Sequence, residues 1–591
     1  MKKLWIAILL LGCVSLAVGQ TKVSKPGIYS GYTKQVADGS QRFSQYVTVR
    51  DGTKLAVDFY RPTLKGALVT TSFPVIWQFT PYRRALYDDK GNVISRQAAP
   101  LLELTKYGYV IAVGDVRGKG ASFGFRKAMH GRQEEEDSYD LTEWLAAQPW
   151  SSSKVGMFGG SYNGGTVAGA ITTAPPHLKA VFFGITDFNM YDGWVRGGIM
   201  RFSMGADNPI SDDLLTVPVD EDKDKSMLKA AVEQHNQNPL MNPMMIALPF
   251  RDSWSDVSDS YFWSEVSYSN YLAQIKKSGV PAYMYGGWAD FLRRDTVISY
   301  VNWPNVRKLL MGPWAHGSTA GFDFATEHLR WFDYWLKGIE NGINNEAPIY
   351  HYVVNASADK AWRSATEWPP AEAKATSWFL QGGKSGSAPS VNDGTLTTAA
   401  TEQGKDEFKV IYGIKADVEP LRDAYVVKGA SEWDQKGLTW TSAPLTNAVT
   451  VAGHPLVQFW LACSADDADL FVVLEDVDEV GNSQYVADGR LRVSLRATHQ
   501  APYNFLNLSW RRSYKTDEHK LTPGQPVKLL IDLMPTVTIV KRGHRIRLAL
   551  TGSQGRTNHQ QAPAPPTLTV LRDATHVSYL SLPSLALPLQ D

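Results

Sequence analysis

Cysteine is nearly absent from this sequence. Cys13 and Cys463 are the 2 cysteines among 591 residues. Two thiols are too few for a disulfide-stapled scaffold or for a four-cysteine zinc site. The sequence also lacks an H-E-x-x-H pair and any cluster of histidines, so we predict no metal and no other cofactor. The fold must be stabilised by packing, for which the 43% of hydrophobic residues are sufficient.

An excess of charge of one sign is missing as well. The chain has 60 Lys and Arg against 59 Asp and Glu, a formal net charge of +1. Proteins that bind nucleic acids by neutralising phosphates usually carry a basic excess, so no nucleic-acid partner is predicted. No segment has the about 18 uninterrupted apolar residues of a spanning helix, and we expect no stable membrane insertion of the mature chain.

The first 19 residues have the pattern of a secretory signal. A positive start at Lys2 and Lys3 precedes an apolar run from Leu4 to Val18. We expect cleavage after Gly19 and an exported protein, periplasmic or extracellular. The alternative is a lipobox ending at Cys13, which would place a lipid anchor on that residue. Because the apolar run continues past Cys13, cleavage after Gly19 is favoured.

Between about residues 45 and 190, short apolar runs alternate with longer amphipathic segments. This rhythm is typical of βαβ units. The segment Glu135–Gln148 is a helix candidate, and the acidic run Glu134–Asp137 is interpreted as its solvated start. The strand candidates are Val75–Phe79, Val110–Val113, Val155–Phe158, Ala180–Phe183, Val280–Tyr285 and Val306–Met311.

Two changes of pattern divide the chain. Residues 191–275 lose the βαβ rhythm and are rich in Met, Pro and aromatic residues, which indicates an insertion. Beyond residue 350, apolar residues alternate with a period of two between turn residues, which indicates an all-β domain. We therefore predict a signal peptide (1–19), an α/β core in two parts (20–190 and 276–350), an insertion (191–275) and a C-terminal β-sandwich domain (351–591).

A candidate nucleophile follows the strand Val155–Phe158. There the segment Gly159–Gly164 carries Ser161, and a helix-compatible stretch comes next. A serine on a tight strand-to-helix turn exposes its hydroxyl, and the turn requires small neighbours. The G-x-S-x-G pattern has glycine at position 163, whereas this chain has Asn163 followed by Gly164. The motif alone therefore leaves open an idle serine in a surface turn.

The order of two further residues favours the catalytic interpretation. Asp290 follows the strand Val280–Tyr285, and His316 follows the strand Val306–Met311. Serine, acid and histidine, each past the carboxyl end of a strand, is the order of α/β-hydrolases. In such a triad the histidine takes the serine proton and the acid orients the imidazole.

These motifs resemble the superfamily of cocaine esterase, α-amino acid ester hydrolase, glutaryl-cephalosporin acylase and X-Pro dipeptidyl peptidase. Segments Gly159–Gly164, Gly287–Asp290 and Gly312–His316 match its three catalytic motifs. Asp115–Ser122 resembles its Asp-Val-Arg-Gly-x-Gly-x-Ser loop, and Arg330–Gly338 resembles its helix after the histidine. The resemblance implies an α/β-hydrolase core, a helical cap inserted into it and a C-terminal jelly roll. It also implies an oxyanion hole built from the Tyr162 backbone N–H and the Tyr82 hydroxyl.

The sequence departs from this family where substrate is bound. α-Amino acid ester hydrolases resemble one another in carrying carboxylates just after the catalytic aspartate and in the Asp-Gly-Trp segment of the cap. This chain has Arg293 and Arg294 after Asp290, and Arg196 after Trp194. Cationic side chains would repel a substrate ammonium and tolerate or attract an acyl carboxylate. Arginines turned outward into salt bridges are the alternative. The predicted substrate-lining residues are Trp194, Arg196, Trp288 and Arg293.

We therefore predict a secreted serine hydrolase that cleaves a small-molecule ester or amide through an acyl-enzyme, with a neutral or anionic acyl group. Dipeptidyl-peptidase or α-amino acid ester hydrolase activity is one alternative. A catalytically silent exported binding protein is another, suggested by the 19 Trp and the β-rich C-terminal third. The presence of all three residues, Ser161, Asp290 and His316, argues against a silent binding protein. The sequence leaves a homo-oligomer open.

Overall fold

A mainly parallel sheet organises the N-terminal part of the chain. In this computed structural model its strands, with three small hairpins, are β1 (Val23–Lys25), β2 (Ile28–Ser30), β3 (Gly39–Thr48), β4 (Lys54–Leu64), β5 (Ala67–Leu68), β6 (Phe73–Thr80), β7 (Leu86–Tyr87), β8 (Val93–Ile94), β9 (Val110–Asp115), β10 (Ser151–Gly160), β11 (Leu178–Gly184), β12 (Trp254–Ser255), β13 (Ser260–Tyr261), β14 (Ala282–Ala289), β15 (Arg307–Ala315), β16 (Ile349–Tyr352) and β17 (Trp362–Ala365). The helices are α1 (Arg132–Ala146), α2 (Tyr162–Thr172), α3 (Met190–Trp194), α4 (Ser226–Gln234), α5 (Met241–Ile246), α6 (Phe262–Glu265), α7 (Leu272–Ser278), α8 (Arg293–Asn302) and α9 (Phe324–Lys337).

The structure describes only part of the chain at atomic detail. The predicted signal sequence and Cys13 lie outside the described residues. Within the described residues, no helix is long and apolar enough to cross a membrane. The described residues are 21–201, 209–399, 403–415, 426–427, 429, 431–555, 557, 559, 561 and 564–585.

The sheet runs in the order β17-β16-β15-β14-β11-β10-β6-β9-β4-β3. The pairs from β9 through β16 are parallel, and antiparallel strands close both edges. Its central strands are buried on both faces, as parallel sheets generally are. In β6, Val75 and Trp77 pack into the core on one face, and Ile76 packs into the core on the other. The six predicted strands are confirmed as β6, β9, β10, β11, β14 and β15.

The helix candidate Glu135–Gln148 is confirmed as α1, but its start is not solvated. Glu134, Glu135 and Asp137 are 6%, 4% and 2% exposed. Arg132 Nη1 lies 2.7 Å from Glu135, and Arg117 Nη2 lies 2.6 Å from Asp137. The interpretation of this run as a solvated face is therefore wrong for these three residues. Arginines compensate the charges of Glu135 and Asp137, and Glu134 accepts a hydrogen bond from the Tyr162 hydroxyl. Glu136 remains 40% exposed.

Residues between β11 and β14 form short helices, α3 to α7, and the hairpin β12-β13. The methionines of α5 explain the unusual composition of this segment. Met241 and Met245 are fully buried and pack into the same core as Phe262 and Trp263. The insertion thus covers the face of the sheet through flexible apolar side chains that fill irregular space.

The C-terminal part is β-rich, as predicted. Its elements pair into a second, mainly antiparallel sheet system with its own apolar core, and Cys463 is a buried free thiol there. The elements are β18 (Ala373–Gln381), β19 (Gly394–Thr397), β20 (Lys405–Lys409), β21 (Val426–Val427), β22 (Leu438–Ser442), β23 (Val449–Gly453), β24 (Leu456–Cys463), β25 (Asp469–Val477), β26 (Ser483–Arg492), β27 (Val527–Asp532), β28 (Thr536–Val540), β29 (Arg545–Thr551), β30 (Thr567–Leu571), β31 (Tyr579–Leu585) and helix α10 (Glu432–Gln435).

The predicted boundary at residue 350 is wrong. It falls inside β16, and β16 and β17 both belong to the first sheet. An antiparallel edge hairpin has the same period-two pattern as an all-β domain, so the sequence pattern could not separate them. The two parts are also not independent, because Phe505, Trp510 and Val537 of the C-terminal part pack into the core of the first sheet.

A buried arginine fixes the turn that follows β6. Arg84 is fully buried, with Nε 2.7 Å from Asp58 Oδ1 and Nη1 3.0 Å from Asp115 Oδ2. Its Nη2 donates to the Val217 carbonyl at 2.8 Å. This arrangement ties β4, β9 and the insertion to the turn that carries Tyr82.

We expect Arg84→Met to lower the free energy of unfolding by about 3–5 kcal/mol, because it leaves two buried carboxylates without this cation. Urea unfolding monitored by circular dichroism measures the loss. Arg50→Met is the matched control, since Arg50 pairs with Asp140 at the surface, where about 0–1 kcal/mol is expected. Equal losses in the two variants would contradict the assignment.

Candidate active site

Ser161 lies at the sharp turn between β10 and α2. Its backbone has φ 58° and ψ −128°, a conformation that L-residues rarely adopt. A Cβ added to Gly159 would lie 2.1 Å from the Asn163 carbonyl oxygen, and one added to Gly164 would lie 2.6 Å from the Gly184 oxygen. The turn therefore requires glycine at 159 and 164, which explains the displaced motif.

Asn163 occupies the position where the G-x-S-x-G pattern has glycine. Its side chain is buried, and Nδ2 donates to Gln78 Oε1 at 3.0 Å and to Gln97 Oε1 at 2.9 Å. These bonds tie the turn to β6 and to the segment after β8. The asparagine thus holds the nucleophile turn in place rather than disrupting it.

The structure brings Ser161, His316 and Asp290 together. His316 Nε2 lies 2.9 Å from Ser161 Oγ, and His316 Nδ1 lies 2.8 Å from Asp290 Oδ2. Asp290 is 1% exposed, and its Oδ1 accepts the Leu292 N–H at 2.7 Å. The acid is thereby oriented and can hold the imidazole with Nδ1 protonated, leaving Nε2 to accept the serine proton.

Tyr82 lies across from this chain of hydrogen bonds. The residue is 40% exposed, but its hydroxyl is within hydrogen-bonding reach of the Ser161 side chain and the Tyr162 backbone N–H. Burial of the hydroxyl end raises the pKa of Tyr82, against the opposing effects of these hydrogen bonds and of the Arg126 charge. The phenol is therefore neutral and can donate to a developing oxyanion beside the Tyr162 N–H.

Comparison with known proteins agrees with this geometry. The family model of the X-Pro dipeptidyl-peptidase (S15 family) matches residues 51–318, and that of the X-Pro dipeptidyl-peptidase C-terminal non-catalytic domain matches residues 341–581. Cocaine esterase of Rhodococcus sp. is 26% identical over 565 residues, covering 88% of this chain and 92% of the relative. A Mycobacterium tuberculosis protein named only provisionally as a serine esterase is 28% identical over 619 residues, covering 92% and 95%. The chain is a serine hydrolase of the cocaine esterase and X-Pro dipeptidyl-peptidase superfamily.

Solved structures share its fold. A CocE/NonD family hydrolase from Staphylococcus aureus superposes with a TM-score of 0.67 at 19% identity, covering 92% of this chain and 94% of the other. An α-amino acid ester hydrolase superposes with a TM-score of 0.62 at 19% identity, covering 97% and 99%. These likenesses confirm the predicted α/β-hydrolase fold of the serine hydrolase.

The hydroxyl of Tyr162 lies in a buried polar cluster. Its hydroxyl donates to Glu134 Oε2 at 2.7 Å and accepts from Arg126 Nη1 at 3.2 Å. The His130 ring packs against the Tyr162 ring with centroids 4.2 Å apart. Desolvation by burial raises the pKa of Tyr162 well above its ordinary value, and the Glu134 charge adds to this. The cluster fixes the residue whose backbone N–H is the oxyanion donor, and no sequence motif indicated it.

The structure contradicts a substrate-lining role for Trp288 and Arg293. Arg293 is 1% exposed, donates to the Trp288 carbonyl, and lies 2.9 Å from the Tyr485 hydroxyl. The Trp288 ring is buried, stacks on Trp368 and donates to the Tyr352 carbonyl at 2.6 Å. The Arg293 side chain packs toward the C-terminal part, because the loop after Asp290 turns at once into α8. Trp288 packs between Tyr352 of β16 and Trp368, which follows β17.

Arg196 is likewise paired within the protein. It forms an ion pair with Asp488 of the C-terminal part. The alternative of a salt bridge therefore holds for Arg196, but the side chain is turned inward and not outward, with 14% of it exposed. The half-buried Trp194 donates its indole N–H to Asp187 Oδ2 at 3.2 Å, and its contact with substrate stays a prediction. Sequence proximity to the catalytic aspartate did not indicate which way these side chains point.

One side chain outside the predicted set lies against the catalytic histidine, and a second lies against the first. The Phe291 ring packs on the His316 ring with centroids 4.7 Å apart. The Arg201 guanidinium lies 3.8 Å from the Phe291 ring centroid, a cation–π contact. The position of Phe291 directly after Asp290 was a usable signal, whereas nothing in the sequence pointed to Arg201.

We expect Tyr82→Phe to lower kcat on 4-nitrophenyl butyrate by about 10²–10³-fold with a smaller change in KM, because an oxyanion donor acts mainly in the transition state. Steady-state kinetics provide the measurement. Tyr87→Phe is the control, since Tyr87 lies on β7, just after the turn that carries Tyr82, and is exposed. A kcat for Tyr82→Phe within threefold of the wild type would exclude the hydroxyl from the oxyanion hole.

Proposed function

We propose that this serine hydrolase cleaves an ester or amide through an acyl-enzyme and prefers acyl groups that carry no ammonium. The observation that carries the catalytic part is the hydrogen-bonded series Ser161–His316–Asp290 facing the Tyr82 hydroxyl. Such a series activates the serine oxygen by removing its proton as it attacks.

In the acylation step, Ser161 Oγ bonds to the substrate carbonyl carbon while His316 Nε2 takes the serine proton. The carbonyl oxygen becomes negative between the Tyr82 hydroxyl and the Tyr162 N–H. Collapse of this intermediate breaks the bond to the alcohol or amine, which leaves with the proton from His316. In the second step water attacks the acyl-enzyme with the same proton transfers, and the acid product is released.

The proposed acyl preference rests on the charges near the site. Asp192 of the cap has both carboxylate oxygens occupied, by Arg251 Nη2 at 2.6 Å and by the Tyr503 hydroxyl at 3.1 Å. Its charge is therefore compensated by Arg251, which weakens its attraction for a substrate ammonium. Two guanidiniums lie against residues of the site, Arg126 beside Tyr82 and Arg201 over Phe291. Guanidiniums beside Tyr82 and Phe291 disfavour a cationic acyl group in the proposed site.

A fluorophosphonate probe tests the catalytic proposal. We expect one covalent adduct by intact mass on the wild-type protein, located at Ser161 by peptide mapping, because the probe needs an activated nucleophile and an oxyanion hole. Ser161→Ala should take none, and Ser318→Ala, altered in the loop after His316, should label like the wild type. A folded wild type without an adduct would overturn the proposal.

Three phenyl esters of one chain length test the acyl preference. We expect kcat/KM for phenyl butanoate and for monophenyl succinate to exceed that for phenyl 2-aminobutanoate by at least about 10-fold, because like charges brought together in a binding site cost on the order of several kcal/mol. Phenol release, corrected for spontaneous hydrolysis, is the readout. The opposite order would favour the second candidate, an X-Pro dipeptidyl peptidase, which the matching family models support. Release of the dipeptide from Ala-Pro-4-nitroanilide would establish that activity.

A further inference from the structure

A pocket opens beside Tyr82, the side chain assigned to the oxyanion hole. Its volume is about 200 Å³, roughly the liquid volume of six or seven waters, which is enough for a small substituent of a substrate. We call it the Tyr82 pocket. The charged residues of its wall are Arg83, Arg96, Lys119, Asp212 and Asp213.

Two further wall residues connect the Tyr82 pocket to the reaction centre. The Tyr82 hydroxyl is within hydrogen-bonding reach of the Ser161 side chain. Gln97 Oε1 accepts a hydrogen bond at 2.9 Å from Nδ2 of Asn163, two residues after the nucleophile. The pocket therefore borders both the oxyanion donor and the nucleophile turn, and a substituent of a substrate bound at Ser161 is close to it.

Two of the five charges form an ion pair within the wall. Lys119 Nζ lies 3.0 Å from Asp213 Oδ2, and both side chains are buried. Asp213 also accepts the Gly120 N–H at 3.0 Å, and its Oδ2 lies 3.0 Å from His235 Nδ1. The charges of Lys119 and Asp213 therefore compensate each other.

Arg83 and Arg96 have no comparable partner. Among the described residues, no carboxylate oxygen lies within 4.0 Å of either guanidinium. Arg83 Nη1 donates to the Asp212 backbone carbonyl at 2.6 Å, which orients the side chain without cancelling its charge. Outside the Lys119–Asp213 pair, the wall thus has two arginines and one carboxylate, that of Asp212, which can compensate one guanidinium at most.

The backbone of the turn holds Arg83 in place. Its φ is 68°, a left-handed conformation that residues with a side chain rarely adopt. Such conformations persist where the surrounding structure fixes them, and they cluster at functional sites. Here the ion pairs of the next residue, Arg84, with Asp58 and Asp115 fix the turn. Arg83 is half-buried and Arg96 is exposed, so a ligand has access to both guanidiniums.

We propose that the Tyr82 pocket binds a carboxylate of the substrate through Arg83 and Arg96. This inference rests on the proposed hydrolysis of an ester or amide and adds a substrate class to it, namely substrates that carry a separate carboxylate. A guanidinium presents parallel N–H donors that match the two oxygens of a carboxylate. A contact made equally in the ground state and the transition state lowers KM without raising kcat. The carboxylate belongs either to the acyl group or to the leaving group, and the substrates of the test distinguish these two sources.

Two pairs of esters test the proposal, and the members of each pair differ by a carboxylate or its neutral carboxamide. Monophenyl succinate and phenyl 3-carbamoylpropanoate carry the group on the acyl side. 4-Carboxyphenyl butanoate and 4-carbamoylphenyl butanoate carry it on the leaving group. We expect kcat/KM of the wild type to favour the carboxylate by at least about 10-fold in one pair, mainly through a lower KM, because charge-assisted hydrogen bonds are stronger than neutral ones. The pair that shows the preference identifies the side, and equal values in both pairs would overturn the proposal.

Variants of the two arginines locate the preference. Arg83→Gln and Arg96→Gln should each lower the ratio of carboxylate to carboxamide at least about threefold, and Arg83→Lys should lower it less because the charge remains. Lys90→Gln is the matched control and should keep the wild-type ratio, since Lys90 is an exposed cation between β7 and β8 and outside the wall. Should Arg83→Gln fail to fold, Arg96→Gln decides, because Arg96 is exposed. An unchanged ratio in the folded arginine variants, or an equal loss in Lys90→Gln, would contradict the assignment.

Binding to Ser161→Ala separates this inference from the proposed function. Calorimetric titration of this variant with both ester pairs measures the preference for a carboxylate without turnover. A carboxylate preference in binding, with neither turnover nor a fluorophosphonate adduct in the wild type, would overturn the proposed hydrolysis and support the carboxylate site. Equal affinities for carboxylate and carboxamide in both pairs would overturn the carboxylate site even if the wild type hydrolyses all four esters.

Discussion

The chemistry of this protein depends on a steric constraint at the turn between β10 and α2. Ser161 holds a positive φ of 58°, which exposes its hydroxyl and turns the first N–H of α2 toward the reaction centre. The conformation persists because neighbouring backbone fills the space where side chains at Gly159 and Gly164 would stand. A larger residue at either position would have to move the strand or the helix, and with them both the nucleophile and one oxyanion donor.

The sheet order places every other catalytic group around this turn. Ser161, Asp290 and His316 follow β10, β14 and β15, and Tyr82 follows β6, which is hydrogen-bonded directly to β10. Since these strands are parallel, their carboxyl ends lie at one edge of the sheet. The buried ion pairs of Arg84 then fix the loop that carries Tyr82. Catalytic geometry here is a consequence of strand order and a few buried charges.

The sequence was sufficient for those parts of the structure that depend on local pattern and chain order. Buried strands are short apolar runs, and Asp290 and His316 could be placed because each directly follows such a run. Local pattern did not explain the acidic start of α1, because Asp137 is paired with Arg117, which precedes the helix in the chain. It did not explain Asn163 either, because the acceptors of its side chain, Gln78 and Gln97, come from distant segments. The predicted domain boundary at residue 350 was wrong for a similar reason. Only its pairing with β15 assigns β16 to the first sheet, and that pairing is not visible in the sequence.

The arginines after Asp290 and Trp194 show that the role of a charged residue cannot be predicted from its sequence position when its partners are unknown. Taken alone, they suggested an attraction for substrate carboxylates. In the folded chain Arg196 contacts Asp488 and Arg293 contacts Tyr485, both on β26 of the C-terminal part. A guanidinium can bridge several acceptors at once, which suits it to a polar contact between two domains. Arg196 and Arg293 therefore hold the C-terminal part against the catalytic core, whereas Phe291 lies on the His316 ring with the Arg201 guanidinium over its own ring.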